Sequence, residues 1–119
     1  MKDVNKLILV GRLCSGPVQR ETKGGTWVVH FPLATSRVNS QKEQETQWHK
    51  VVVWGKQAEV CQQYLEKGQM VYVEGFLKSR KYIDKEGQEK TSVEVHAEEV
   101  KFLAKSKGTL STEVAELAH

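Results

Sequence analysis

Residues 56–67 break the pattern of the surrounding chain, and that break limits what the chain can fold into. On either side, apolar residues recur at alternate positions, the period of a strand. Across 56–67 they recur at helical spacing, with Ala58, Cys61 and Leu65 joined by Val60 and Tyr64. Gly68 follows where a C-terminal glycine cap belongs. One short helix is therefore set among strands.

Three strands precede it. In Val4 to Leu13, Leu7, Leu9 and Leu13 alternate with Ile8 and Val10. Both faces are apolar, which suits core on one side and a neighbouring subunit on the other. Gly24-Gly25 signals a turn before the second strand, Trp27 to Thr35, in which Pro32 withdraws one ladder donor and favours an edge or a bulge. Arg37 to Glu45, with Val38 its one apolar residue, reads as a mobile polar loop. The third strand is Gln47 to Trp54, ended by Gly55.

Two strands follow the helix. The fourth runs from about Met70 into the basic cluster Lys78, Arg80 and Lys81. Asp84-Lys85-Glu86-Gly87 makes a hairpin loop, and Thr91 to Ala97 returns as the fifth. Val100 to Ala104 either extends that strand or follows a bulge. The order predicts an all-β, five-stranded Greek-key OB-fold barrel with one short α-helix between strands 3 and 4. It occupies residues 1–104, with 105–119 as a short flexible tail.

The bulk properties agree with one soluble domain. The 119 residues suffice for a single core, and 39% hydrophobic with 28% charged residues is a globular balance. Apolar runs are too short to cross a bilayer, and Met1 to Lys6 leads into the first strand without a signal-peptide core, so the expected location is cytoplasmic. Cys14 and Cys61 read as reduced, partly buried thiols, and no metal or other cofactor is expected. Net charge is +3, with nine Lys/Arg against five Asp/Glu in residues 1–60 and nine against ten thereafter. The basic excess of the first half is compatible with an anionic partner.

Thr46 to Lys56 is the most informative stretch for function. Strand alternation puts Trp48, Lys50, Val52 and Trp54 on one face and His49, Val51 and Val53 on the other. The second set is the better core face, which leaves two indoles and a lysine outside. Every base has a π-face, so stacking on flat rings is tolerant of sequence, and lysine neutralises phosphate. Stacking is worth about 1–3 kcal/mol per base. The fourth strand repeats the theme, with Lys78, Arg80 and Tyr82 on one face and Val71, Val73, Leu77 and Ile83 on the other, unless a bulge at Gly75 flips the register. A tryptophan in a strand is core by default, and a charge run is by default a solvated face. The shared parity outweighs both defaults here. Trp27 lacks such company and reads as packing.

No residues assemble a nucleophile, base and orienter, so no enzyme is expected and no catalytic residue is assigned. His49 lies on the core parity with no Asp, Cys or second His nearby, and reads as a buried or interface histidine.

These segments resemble the bacterial single-stranded DNA-binding protein family over roughly residues 4–103. The resemblance rests on Val4 to Gly11, Leu33-Ala34-Thr35-Ser36, Trp48 to Lys56, Tyr64 to Gly68 and Val71 to Gly75. It implies a homotetramer, with a homodimer as the alternative, that wraps single-stranded DNA in replication, recombination and repair. Trp48 matches a stacking tryptophan; Trp54 and Tyr82 stand where the family often has a stacking phenylalanine and tryptophan. Lys50, Lys56, Lys67, Lys78, Arg80 and Lys81 fall at usually basic positions near the DNA path. His49 matches a histidine of subunit contacts, and Leu7, Leu9 and Tyr72 join it as expected interface residues. The loop 37–45 is short and lacks an aromatic where some members stack a further base. The C-terminus, Glu116-Leu117-Ala118-His119, lacks the family's acidic tip, so tail-reading protein partners are expected to be recruited poorly.

Two other readings stay open on the residues alone. An OB barrel can prefer RNA or serve as a primosome accessory, because a contact to the 2′-OH is invisible in sequence. An exposed aromatic face can also bind protein. A nuclease-like enzyme is a more distant third.

Overall fold

The computed structural model describes residues 3–22 and 24–103. They form β1 (Leu7–Leu13), β2 (Val18–Glu21), β3 (Trp27–Val38), β4 (Gln44–Trp54), α1 (Gly55–Tyr64), β5 (Met70–Ile83) and β6 (Glu89–Phe102). The strand order is β1-β5-β6-β4-β3-β2, and β1 closes the sheet by also pairing with β3. Closure works because β1 changes partner along its length: Leu7 to Arg12 face β5, while Arg12 and Leu13 reach Ala34 and Leu33 of β3. The β4–β6 seam is parallel, at Val51↔Val95 and Val52↔His96, and the remaining pairings are antiparallel. Five long strands thus make the expected barrel, with the helix between the third and fourth of them. Residues 105–119, expected as a tail, lie outside the described residues.

Alternation fills the barrel. Val29, Phe31 and Leu33 of β3, Val51 and Val53 of β4 and Val71 and Val73 of β5 are fully buried, with Leu13 and Val95 nearly so. Fully burying such a side chain contributes about 1.5–3 kcal/mol. Helix α1 adds Ala58 and Cys61 to this core, and Leu65 joins it just beyond the helix end. Burial pushes the Cys61 thiol up to about 11, so it stays protonated and acts as a small apolar group.

Several local expectations are corrected. Leu7 and Leu9 pack against the core, whereas Ile8 is 54% exposed. When both faces of a strand are apolar, alternation separates them without saying which is inside, so the two leucines are core-facing and not on the outer face. The expected loop Arg37–Glu45 is shorter than its composition suggests: residues 39–43 make the turn, and the ladder continues up to it through Arg37↔Glu45 and Val38↔Gln44. An ion pair of 3.7 Å between Arg37 and Glu45 and a 3.0 Å hydrogen bond between Ser36 and Thr46 support it. This hairpin is solvated on both faces, so no apolar alternation marks it. Strand β2 escapes a period reading because it is only four residues long.

Pro32 causes no bulge. Its carbonyl accepts from the Cys14 N–H at 3.1 Å, so the missing N–H also points towards β1, away from β4. It lies where the edge of β3 passes from β2 to β1, and the β3–β4 ladder is uninterrupted. Gly68 does not cap the helix, which ends with Leu65 extended. It is the third residue of a turn closed by Gln69 N–H donating to Glu66 O at 3.1 Å, with φ at +89°, a position that favours glycine.

A bulge does lie beside Gly75, but on the opposite strand. Glu74 pairs with Glu99 and Gly75 with Ala97, so Glu98 of β6 is the extra residue. β5 therefore keeps its parity throughout. In β6 the core-facing set shifts from Val95 and Ala97 to Val100 and Phe102, which joins the two apolar patches in one strand. A Cβ on Gly75 would collide with the His96 carbonyl oxygen, and backbone cannot step aside cheaply. Gly75→Ala should therefore cost about 1–3 kcal/mol in urea unfolding. Wild-type stability in that variant would contradict the close approach.

Candidate nucleic-acid interface

The outward face of the barrel is built by the residues that alternation keeps out of the core. On β4, Trp48 is 66% and Trp54 44% exposed, while Val51 and Val53 behind them are fully buried. Lys50 lies between the indoles. Trp54 stands at the junction with α1, held at the end of the β3–β4 ladder opposite Val28. On β5, Lys78, Arg80 and Tyr82 share the outward parity and are exposed.

These strands border a cleft of about 340 Å³. Val52 is its floor, paired with His30 of β3 on one side and His96 of β6 on the other. Lys50 and Trp54 line it from β4, Lys78 and Arg80 from β5, and Arg20 and Thr22 come from the β2 side. Glu94 completes it from β6 and is nearly covered, its side chain 5% exposed. Its carboxylate receives the Lys50 ammonium at 3.1 Å, the Arg80 Nε at 3.5 Å and the His96 Nε2 at 3.2 Å. Burial pushes the Glu94 carboxyl up. The hydrogen bonds from Lys50 and His96 and the Lys50 and Arg80 charges outweigh that and hold it below its ordinary value.

An aromatic row crosses the same face. The His96 ring lies 6.4 Å from Trp54 and 5.6 Å from Phe76, its cross-strand neighbour. His30 adds a buried Nε2 with no hydrogen-bond partner among the described residues.

The structure thus brings Lys50, Trp54, Lys78 and Arg80 together around the cleft, with Trp48 and Tyr82 on the same faces of β4 and β5. The other three expected cations are elsewhere. Lys56 sits on the first turn of α1, paired with Glu59 at 3.5 Å. Lys67 is exposed in the turn after the helix. Lys81 has the opposite parity to Lys78 and Arg80, and pairs with Glu89 at 3.6 Å. Arg20, His30, Glu94 and His96 were not singled out by sequence reasoning, and Phe76, on the outward parity of β5, reads from sequence as a packing or interface residue. A parity reading of β6, with Val93 and Val95 opposite Glu94 and His96, would have found two of them.

Of the expected interface residues, His49 is half-buried and hydrogen-bonded to Thr35 Oγ1 at 2.8 Å. Tyr72 is partly covered on the outer face of β5, its hydroxyl donating to Glu74 at 2.9 Å and the Lys101 ammonium 5.5 Å from its ring centre.

A closed five-strand barrel carrying an outward row of rings and cations is an OB-fold of the nucleic-acid-binding class. Comparison with known proteins narrows this further. The model of the single-strand binding protein family matches residues 4–103, and the chain belongs to that family. Single-stranded DNA-binding protein 1 of Chlorobaculum tepidum is 41% identical over 113 residues, covering 90% of this chain and 70% of that protein. The single-stranded DNA-binding protein of Neisseria meningitidis serogroup A is 42% identical over 104 residues, covering 84% of this chain; the chain spans 60% of that protein's length. Among solved structures, the Plasmodium falciparum SSB complex with ssDNA superposes with a TM-score of 0.79 at 31% identity, over 87% of this chain and 98% of that one.

The two half-buried histidines give a stability signature. Burial, reinforced at His30 by Lys50 and Arg20, lowers the pKa of both His30 and His49 from 6.5. The unfolded chain therefore takes up these protons before the folded one does. The stability present above pH 6.5 is lost as pH falls through the lower, folded values. The melting temperature should drop between about pH 7 and about pH 5, and a His30→Gln/His49→Gln variant should flatten that slope. An equal slope in wild type and variant would refute the assignment.

Proposed function

We propose that this chain binds single-stranded DNA independently of sequence, stacking bases on Trp48, Trp54 and Tyr82 and neutralising phosphates with lysine and arginine. The observation that carries the reading is the pair of exposed indoles flanking Lys50 on a strand whose other face is sealed in the core. Membership of the family supports a binding protein rather than an enzyme. The names of the Chlorobaculum and Neisseria relatives and the bound strand in the Plasmodium complex support DNA as the ligand. Lys56, Lys67 and Lys81, outside the cleft, serve a strand that continues over the barrel surface. Such a protein works in the cytoplasm on exposed strands during replication, recombination and repair. Among the described residues, no helix is long and apolar enough to cross a membrane.

Intrinsic fluorescence tests the reading directly. A long oligo-dT should quench tryptophan emission strongly, a duplex of equal length should not, and binding should weaken with salt as counterions are released. Trp48→Ala and Trp54→Ala should each lose about 1–3 kcal/mol, roughly 5- to 150-fold in affinity. Absence of quenching by the single strand would remove the proposal's main support. A matched RNA oligonucleotide bound more tightly than DNA would shift the reading to RNA.

Self-association belongs to the same proposal. Ile8 and Tyr72 lie on the outward face of paired strands β1 and β5, and Ile8 has little protein around it. We assign this face, with His49, to contacts between copies in a homotetramer. A sedimentation mass of four chains is expected, and a monomer at micromolar concentration would overturn the assignment.

A further inference from the structure

We propose that Glu94 is a positioning residue of the DNA face, holding Lys50 and Arg80 in the cleft floor so that they meet base edges while Lys78 and the outer cations take the phosphates. The inference rests on the single-strand-binding reading and divides its cations into two kinds. Lys50 gives one ammonium hydrogen to Glu94 Oε2 at 3.1 Å, and the Arg80 Nε stands in an ion pair with the same oxygen at 3.5 Å. His96 occupies Oε1. The carboxylate is 5% exposed, so water screens it little, and its charge is fixed beside the two cations.

A phosphate drawn to Lys50 or Arg80 would have to approach this buried anion. The repulsion cancels much of what the cation offers. A base carbonyl is a neutral acceptor and meets no such opposition. Two hydrogens of the Lys50 ammonium and the terminal nitrogens of Arg80 remain to donate to it. Lys78 differs: it is exposed and, among the described residues, is in no ion pair. It can give its whole charge to a phosphate.

The experiment is equilibrium binding of oligo-dT across a salt series for the full chain and three variants. Each phosphate neutralised on a single strand contributes about 0.7 to the slope of log K against log salt. Lys78→Met should lower the slope by about 0.7. Lys50→Met should weaken binding yet change the slope by less than half that amount. Glu94→Gln should steepen it by about 0.7 or more, because it frees Lys50 and Arg80 for phosphates. Equal slope losses in Lys50→Met and Lys78→Met would overturn the proposal. So would parallel wild-type and Glu94→Gln lines with lower affinity, the mark of a merely structural role. The two lysine variants decide the question even if Glu94→Gln fails to fold. A wild-type chain without salt-dependent single-strand binding would instead bring down the functional reading beneath it.

Discussion

The period of two in β4 governs both the barrel and its face. Val51 and Val53 must enter the core, because nothing else in that layer fills the space against Phe31, Val29 and Val95. Once they do, pleating leaves Trp48, Lys50 and Trp54 outside at fixed spacing. Neither indole is needed for core packing, and the cost of exposing them is met by the burial on the other side of the same strand. Stability and the proposed binding therefore draw on alternate residues of one segment. A one-residue register slip would bury Lys50 and expose the valines, destroying both together.

The neighbouring strands are brought to β4 by backbone devices that carry no binding chemistry. The extra residue at Glu98 lets β6 turn its inward set from Val95 to Val100 without disturbing β5. Upstream of that bulge, β6 runs parallel to β4 and delivers Glu94 and His96 next to Lys50 and Val52. Gly75 lets β5 lie against the His96 carbonyl, and further along the same ladder Arg80 reaches the Glu94 carboxylate.

This explains what was legible in the sequence and what was not. The faces of β4 could be told apart because one is clearly more apolar than the other. The faces of β1 could not, since Leu7 and Leu9 are matched by Ile8 and Val10, and only the curvature of the closed barrel selects the leucines. The β3–β4 hairpin tip is held by backbone pairing, Arg37–Glu45 and Ser36–Thr46, which resembles a loop in composition. Glu94 was hidden for a different reason. An acid in a strand reads as solvated, and its partners come from β4 and β5, distant in sequence and joined to it only by the parallel seam and the long hairpin. Lys81 failed in the opposite direction: adjacency to Arg80 suggested one cluster, but successive strand residues point to opposite faces.

The net charge of +3 is small for a protein that grips a polyanion, and the cleft shows why a larger one is not required. A cleft holding Lys50, Arg80, Lys78 and Arg20 with no acid would attract phosphates to its floor and turn the bases towards solvent, away from the rings. Burying Glu94 beneath Lys50 and Arg80 lowers the positive potential at the floor and leaves it higher at the rim. In the proposed arrangement the backbone follows the rim and the bases turn towards Trp54, whose indole lies 6.4 Å from the buried His96 ring. Sequence tolerance follows from that orientation, because ring faces and a few flexible donors distinguish poorly between bases. On this account an acidic residue sets which side of the strand the protein reads.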